Sequence, residues 1–350
     1  MSFDDRSFPQ QPGPAQPGDV LRDRRLVAGW LFSLCAMILV MIVLGGVTRL
    51  TGSGLSIMEW APLSGTLPPL SEAEWQRLFR LYQQIPQYAL VNQGFGLDGF
   101  KQIFWLEWVH RLWGRLIGVA FVVPLIWLWL RGAIPRCLVP RLVLLFVLGG
   151  LQGAVGWFMV ASGFFPDSTA VSPMRLEIHL ALALVLYAAL LWTGLSVLRP
   201  NPAAGSKPLR RLAVALVGLV SLTILTGGIV AGLHAGLTYN TFPTMDGRLV
   251  PEGYLTDSIA TAQFDHRLLA TLTALVAAAA MVGGLRLAPA GLARAAVVAL
   301  GVTVAAQYLL GVMTLLWVVP VGLAAAHQAT AVLVLTATLL LLHACPKDRS

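Results

Sequence analysis

The chain has 350 residues, 57% of them hydrophobic and 11% charged, and a mean hydropathy of +0.75. Soluble domains carry roughly 25% charged residues, so a soluble enzyme and a disordered chain are excluded, and recurring apolar runs of about 20 residues point to membrane-spanning helices rather than a β-barrel. The net charge of +8 comes from basic residues collected beside those runs; membrane topology accounts for them, and no nucleic-acid partner is expected.

The N-terminal stretch is rich in Pro, Gln and Gly and includes Asp4 and Asp5, unlike an Arg-rich, acid-poor transit peptide. The first apolar run is too long for a signal peptide and is expected to stay as a span. Spans are predicted at 26–47, 110–131, 141–161, 176–198, 211–233, 265–286, 293–318 and 321–343. Eight spans place both termini on one side. To that side fall Arg6, Arg22, Arg24 and Arg25; Arg131, Arg136 and Arg141; Arg199, Lys207, Arg210 and Arg211; Arg286 and Arg294; Lys347 and Arg349, fifteen of the 24 Lys and Arg. The positive-inside rule then makes both termini cytoplasmic. The fold class expected is an all-α membrane protein of two pseudo-symmetric four-helix bundles. A tail at 1–25 precedes a first half at 26–198 and a second at 199–343, and a cytoplasmic tail follows at 344–350.

Two outer connections, 48–109 and 234–264, are too long to be mere links. In the first, Ser71-Glu72-Ala73-Glu74 has the form of a capping box, followed at helical spacing by Trp75, Leu78, Phe79 and Tyr82. A short amphipathic helix on the outer membrane surface is expected there. The three cysteines, Cys35, Cys137 and Cys345, are too scattered to suggest a disulfide.

The two halves repeat one pattern. Gly45-Gly46 is echoed by Gly227-Gly228, and Trp108-Val109-His110-Arg111-Leu112 by Phe264-Asp265-His266-Arg267-Leu268. Gln152-x3-Gly156 matches Gln307-x3-Gly311, and His179-Leu180-Ala181 matches His327-Gln328-Ala329. Each half has an even number of spans, so the repeat is parallel, about an axis along the membrane normal. Four of the six histidines thus fall at equivalent places, at the outer ends of even-numbered spans. His234 and His343 lack repeat partners and read as surface or interfacial residues.

A single intramembrane His is commonly a hydrogen-bonded structural residue; four at one depth ask for more. Zinc and copper sites recruit further Cys, His or carboxylate ligands, whereas a haem needs only axial ones. The residue four positions after each His is small (Gly114, Ala183, Ala270, Ala331), which clears room for a flat macrocycle or simply lets helices pack. Arg111, Arg115, Arg175 and Arg267 lie beside these histidines; they are either propionate partners or snorkelling anchors. Symmetry breaks at Glu107, whose counterpart is Gln263. A carboxylate there either takes a proton and stabilises cationic character on a substrate carbon, or pairs with Arg111 or Lys101. The asymmetry suggests a permanent cofactor in one half and chemistry in the other.

These residues resemble the haem A synthase family. The likeness is carried by Gly45-Gly46-Val47-Thr48-Arg49-Leu50-Thr51-x-Ser53-Gly54-Leu55-Ser56, Glu59-Trp60-x-Pro62, Pro68-Pro69, Asn92, Phe100-Lys101-x-Ile103-Phe104 and Glu107-Trp108-x-His110-Arg111. It continues through Gln152-Gly153-x3-Trp157-x-Met159-Val160-x-Ser162-Gly163, Arg175-Leu176-x2-His179-Leu180, Ala231-Gly232, Tyr239-Asn240-Thr241-Phe242-Pro243-x-Met245, Phe264-x-His266-Arg267 and His327-Gln328. The resemblance implies oxidation of the C8 methyl of haem O to the formyl of haem A through the alcohol, for terminal oxidases. It implies that His266 and His327 ligate a resident haem b, that His110 and His179 flank the substrate haem O, and that Glu107 is the catalytic carboxylate. The outer loops hold no cysteine pair, so the chain looks like the cysteine-free branch of proteobacteria and mitochondria, and its N-terminus favours a bacterial inner membrane. Haem O synthase is a candidate hand-over partner, and the electron acceptor is unidentified. Two rivals stand beside this reading: a bis-His cytochrome b that only relays electrons, and a transporter with parallel repeats.

Overall fold

The computed structural model describes residues 17–200, 206–288 and 291–345. Arg6, Lys347, Arg349 and most of both predicted tails lie outside the described residues. Within lipid every backbone N–H and C=O must be satisfied internally, and the described residues are accordingly helical with no strand. The helices are α1 (Pro17–Leu50), α2 (Glu72–Tyr82), α3 (Pro86–Leu90), α4 (Leu97–Leu130), α5 (Val139–Ala161), α6 (Pro173–Leu198), α7 (Lys207–Gly232), α8 (Ser258–Leu287), α9 (Leu292–Leu316) and α10 (Val321–Ala344). Eight of them, all but α2 and α3, are long and apolar enough to cross a membrane. The all-helical, eight-span reading of the sequence is borne out.

Several spans extend beyond the apolar runs that marked them. α4 starts at Leu97 and α8 at Ser258, so His110 and His266 stand inside their helices rather than at the outer ends. Hydropathy stops at the first polar residues; the backbone hydrogen-bond ladder does not, and Asp98, Lys101 and Gln102 are carried on a turn that protrudes past the apolar run. Prolines near the first turn of α5, α6 and α7 start those helices where an N–H would have no partner, and Asp257 caps α8 by accepting from the Ile259 N–H at 3.0 Å.

Helix neighbours follow the repeat. α1 packs on α4 and α6, α5 bridges α4 and α6, and in the second half α7 packs on α8 and α10 while α9 bridges α8 and α10. Each half thus closes into a ring of four. The rings meet through α1 against α10, α6 against α7, and α6 against α10, the arrangement that a two-fold relation between halves produces. Peripheral α5 buries only Leu142 and Leu145; Val143, Leu144, Val147 and Leu151 are exposed, which costs little where the surrounding solvent is hydrocarbon.

Between α1 and α4 the loop-bearing side holds an aromatic cluster. Ser71 Oγ accepts from the Glu74 N–H at 3.2 Å, one arm of the capping box. The Glu74 carboxylate does not close the box; it binds Arg77 at 2.8 Å instead. The apolar face of α2, with Trp75, Leu78, Phe79 and Tyr82, is buried beside Phe100, Ile103 and Phe104 of the protruding part of α4. Helix α2 is therefore docked on protein and does not lay that face on the membrane surface, because the unforeseen extension of α4 offers an apolar partner. His343 also departs from expectation: it is buried in the last turn of α10, edge-on to Trp192 at 5.2 Å between ring centroids. His234 is exposed in a left-handed turn after α7. Cys35, Cys137 and Cys345 are all free.

Candidate functional site

The four repeat-related histidines occupy α4, α6, α8 and α10, two in each ring. Each imidazole lies against a glycine of a neighbouring helix with its Cε1 foremost. A Cβ placed on Gly45, Gly156, Gly227 or Gly311 would come within 2.9, 2.9, 2.9 and 2.8 Å of Cε1 of His110, His179, His266 and His327 respectively. Real Cβ atoms do not approach that closely, and an imidazole wedged between helices has little freedom to yield. The repeated glycines thus act as seats for the rings, a role their sequence repetition announced without specifying.

In the second half the ring centroids of His266 and His327 are 6.5 Å apart and the planes are nearly perpendicular at 88°. Two imidazole nitrogens, each about 2 Å from a shared metal, put the centroids roughly 6 Å apart, so this pair fits axial ligation of a haem iron. Hydrogen bonds also select the right tautomer. His266 Nδ1–H donates to the Thr223 carbonyl at 3.1 Å and to the Thr226 hydroxyl at 3.2 Å, and His327 Nδ1–H donates to the Gln307 carbonyl at 3.2 Å. A proton held on Nδ1 makes Nε2 the lone-pair nitrogen, the one that would meet a metal; at His327 the Gln307 amide nitrogen lies 3.4 Å from it.

The first half is less fixed. His110 Nδ1 is buried and makes no hydrogen bond; it lies towards the Leu44 carbonyl, which accepts from the Thr48 hydroxyl at 2.8 Å. His179 meets the Gln152 amide, 3.2 Å from Nδ1. Gln152 and Gln307 are repeat equivalents, and the side-chain carbonyl of each is buried with no partner. Such orphaned acceptors beside the imidazoles of both halves mark a place built for a further group.

Glu107 is 3% exposed, and both its oxygens are saturated. Oε2 accepts from the Ser56 hydroxyl at 2.7 Å and the Ile57 N–H at 2.9 Å; Oε1 accepts from Arg111 Nη2 at 2.6 Å and Nε at 3.0 Å. Lys101, the other partner considered, pairs with Glu72 at 3.7 Å. Gln263 does the equivalent work with opposite polarity. Its amide donates to the carbonyls of Ala235 and Thr238 at 2.6 and 2.5 Å, while its oxygen accepts from Arg267 Nη2 at 2.6 Å. The Glu-to-Gln asymmetry therefore matches what the overlying loop presents, donors in the first half and acceptors in the second.

The arginines strap these loops down. Arg111 also donates to the Ile57 and Glu59 carbonyls at 2.6 and 3.0 Å, and Arg115 to those of Ala61 and Pro62 at 2.7 and 2.9 Å. Arg267 donates to the carbonyls of Tyr239 and Thr241 at 2.6 and 2.8 Å. Arg175 donates to the Phe158 carbonyl at 2.9 Å and stacks over the Phe158 ring at 3.9 Å. Arg111, Arg115 and Arg267 thus hold loop carbonyls and Arg175 a carbonyl of α5; the Nε of Arg267, buried without an acceptor, is a donor still free for an anionic group. Further out, Arg77 grips Glu59 and Glu74, both at 2.8 Å, tying the strap to α2 and holding the Glu59 carboxyl below its ordinary range.

Residues 28–339 match the COX15-CtaA family, described as cytochrome oxidase assembly protein. The chain is 65% identical over 330 residues to a protein of Granulibacter bethesdensis named Heme A synthase, covering 92% of this chain and 88% of that one. Proteins of the same name from Paramagnetospirillum magneticum and Nitrosospira multiformis are 48% and 46% identical, covering 91% of this chain in each case and 93% and 92% of the relative.

Proposed function

Since the chain belongs to the COX15-CtaA family of cytochrome oxidase assembly proteins, we propose that it converts haem O to haem A as an integral membrane oxidoreductase. The single observation that carries this reading is the pair of repeat-related bis-imidazole seats, of which the second has the 6.5 Å separation suited to an iron between His266 and His327. In this proposal those two hold a resident haem b, and His110 and His179 flank the substrate. When bound, haem b supplies a one-electron redox centre through which electrons leave the substrate.

The protein's own residues position, insulate and hold charge. His110 and His179 fix the substrate ring between α4 and α6. The strap at 57–62, fastened by Arg111 and Arg115, covers this half and keeps bulk water from the reacting carbon. Glu107, anchored by Ser56, Ile57 and Arg111, keeps a negative charge three residues from His110. It stands there to stabilise positive charge developing as the C8 methyl is oxidised to the alcohol and then the formyl. Arg267, through its free Nε, and Arg111, Arg115 and Arg175 are proposed to meet propionates. The membrane is proposed to be a bacterial inner membrane, with both termini cytoplasmic as the charge asymmetry favours, and haem O synthase is the proposed donor.

The test is to purify the chain from cells with and without a haem O synthase and to identify its haems by chromatography and mass. Haem A and its alcohol precursor, appearing only when haem O is supplied, are expected. Haem b alone in both cells refutes a synthase and leaves an electron-relay cytochrome. His266→Ala is expected to strip haem b from the purified protein, and undiminished haem b rejects the assignment of the second half.

A further inference from the structure

The residue preceding each glycine pair differs between the halves: Leu44 before Gly45-Gly46, Thr226 before Gly227-Gly228. These are equivalent positions on equivalent helices, α1 and α7. Each directly precedes the glycine on which a histidine is seated, His110 on Gly45 and His266 on Gly227. At Thr226 the hydroxyl donates to the Thr223 carbonyl at 3.0 Å and accepts from His266 Nδ1–H at 3.2 Å. Thr223 is held in turn: its own hydroxyl meets Thr273 of α8 at 2.8 Å. Imidazole, hydroxyl and carbonyl therefore form a closed set that joins α7 to α8. In the first half the leucine side chain offers no polar atom, and His110 Nδ1 stays buried without a partner.

We propose that Thr226 is the positioning residue that makes the second half retain its haem, and that Leu44 leaves the first half able to exchange its own. The inference rests on the assignment of resident and substrate haems made above. Its physical basis is the second hydrogen bond on the ligand's outer nitrogen. A donor–acceptor contact at Nδ1–H fixes ring orientation and tautomer and makes Nε2 a stronger base, and losing such a contact commonly weakens metal binding about ten- to a hundredfold. Because the Thr223 carbonyl continues to accept from His266 when Thr226 is changed, the lower end of that range applies. An enzyme whose substrate and product are both haems needs this difference. One ring must stay through many turnovers while the other enters and leaves.

The experiment uses the full-length protein in detergent. Haem release is followed by transfer to apomyoglobin, the released haem is identified by mass, and the midpoint potential of haem b is measured by spectroelectrochemical titration. Thr226→Val keeps the branched shape and removes the hydroxyl; about tenfold faster loss of haem b is expected, with a raised midpoint because the weaker base favours the reduced iron. Thr226→Ser restores both. Leu44→Thr places a hydroxyl opposite His110 and is expected to slow release of the first-half haem by a similar factor.

Wild-type release and midpoint in Thr226→Val, in a preparation series where His266→Ala lacks haem b, overturn the inference and leave the site assignment standing. Haem b retained by His266→Ala overturns the assignment and the inference with it. Should Thr226→Val fail to fold, Leu44→Thr decides the matter: first-half haem released at the wild-type rate overturns the proposal.

Discussion

Replacing Glu107 by Gln keeps the volume and removes the charge, and the consequence is set by the hydrogen bonds around the carboxyl. A carboxylate accepts four bonds there, two on each oxygen. An amide has one oxygen. Turned towards Arg111 it preserves both guanidinium contacts and points its NH2 at the Ser56 hydroxyl and the Ile57 N–H; the hydroxyl can rotate to accept, but the Ile57 N–H cannot. One buried donor is left unpaired, at a cost of about 1–3 kcal/mol. The other orientation is worse, because it sets an NH2 against a guanidinium that is only 18% exposed, and breaking a buried pair costs roughly 3–5 kcal/mol. The first orientation is adopted, and the strap at 56–62 opens roughly 5- to 150-fold more often, about a factor of ten for each 1.4 kcal/mol. Ser56→Ala is the control: it removes one of the four bonds, for about 1 kcal/mol, and leaves the charge. Amide hydrogen exchange across 56–62 measures strap opening, and extracted haems measure turnover. Haem A is expected to vanish in Glu107→Gln and to persist in Ser56→Ala. If haem A falls in both variants in proportion to strap opening, charge stabilisation by Glu107 is refuted and the residue is only an anchor.

Three further outcomes are expected. Gly311→Ala places a Cβ about 2.8 Å from His327 Cε1, so the ring must leave its seat; the purified variant should lose haem b, and an unchanged haem spectrum would show that the seat is not needed. Arg267→Lys keeps the charge but loses the fork that spans the Tyr239 and Thr241 carbonyls; proteolysis should then begin in the 238–245 loop while α8 stays protected. At the Arg77 staple the Glu59 carboxyl lies below its ordinary 4.5. Its contribution is therefore complete above that value and is lost as pH falls through the lower folded one. Protection at 57–60, taken relative to the intrinsic exchange rate at each pH, should be flat from about pH 8 down to about pH 5 and fall only below the ordinary carboxylate range; the change should be small because both partners are exposed. A fall centred near neutrality would refute the staple.

Local rules account for a good part of the protein. Apolar runs of spanning length, basic residues at their ends and two copies of one pattern are properties of neighbouring residues, so eight spans and four equivalent histidines can be read from the chain. Gly45, Gly156, Gly227 and Gly311 are visible too, as members of the repeated phrases, although repetition does not reveal that each glycine seats an imidazole.

What escapes sequence reasoning depends on residues far apart in the chain. Glu107 meets Ser56 across 51 positions, and whether its loop offers donors or acceptors is fixed only when that loop folds over the site; composition cannot distinguish Glu107 as an anchor from Glu107 as a free base. The arginines read equally as propionate partners or lipid anchors until the carbonyls of 57–62 and 239–244 are brought beneath them. Helix α2 shows an amphipathic face, which specifies burial but not the surface that provides it, and the partner proves to be the apolar face of the α4 extension. Thr226 and Leu44 look like ordinary members of two apolar helices. Only packing α7 against α8 turns one of them towards a histidine nitrogen, because a hydrogen bond requires two groups within about 3 Å and helical periodicity fixes the face of a residue without fixing its neighbour.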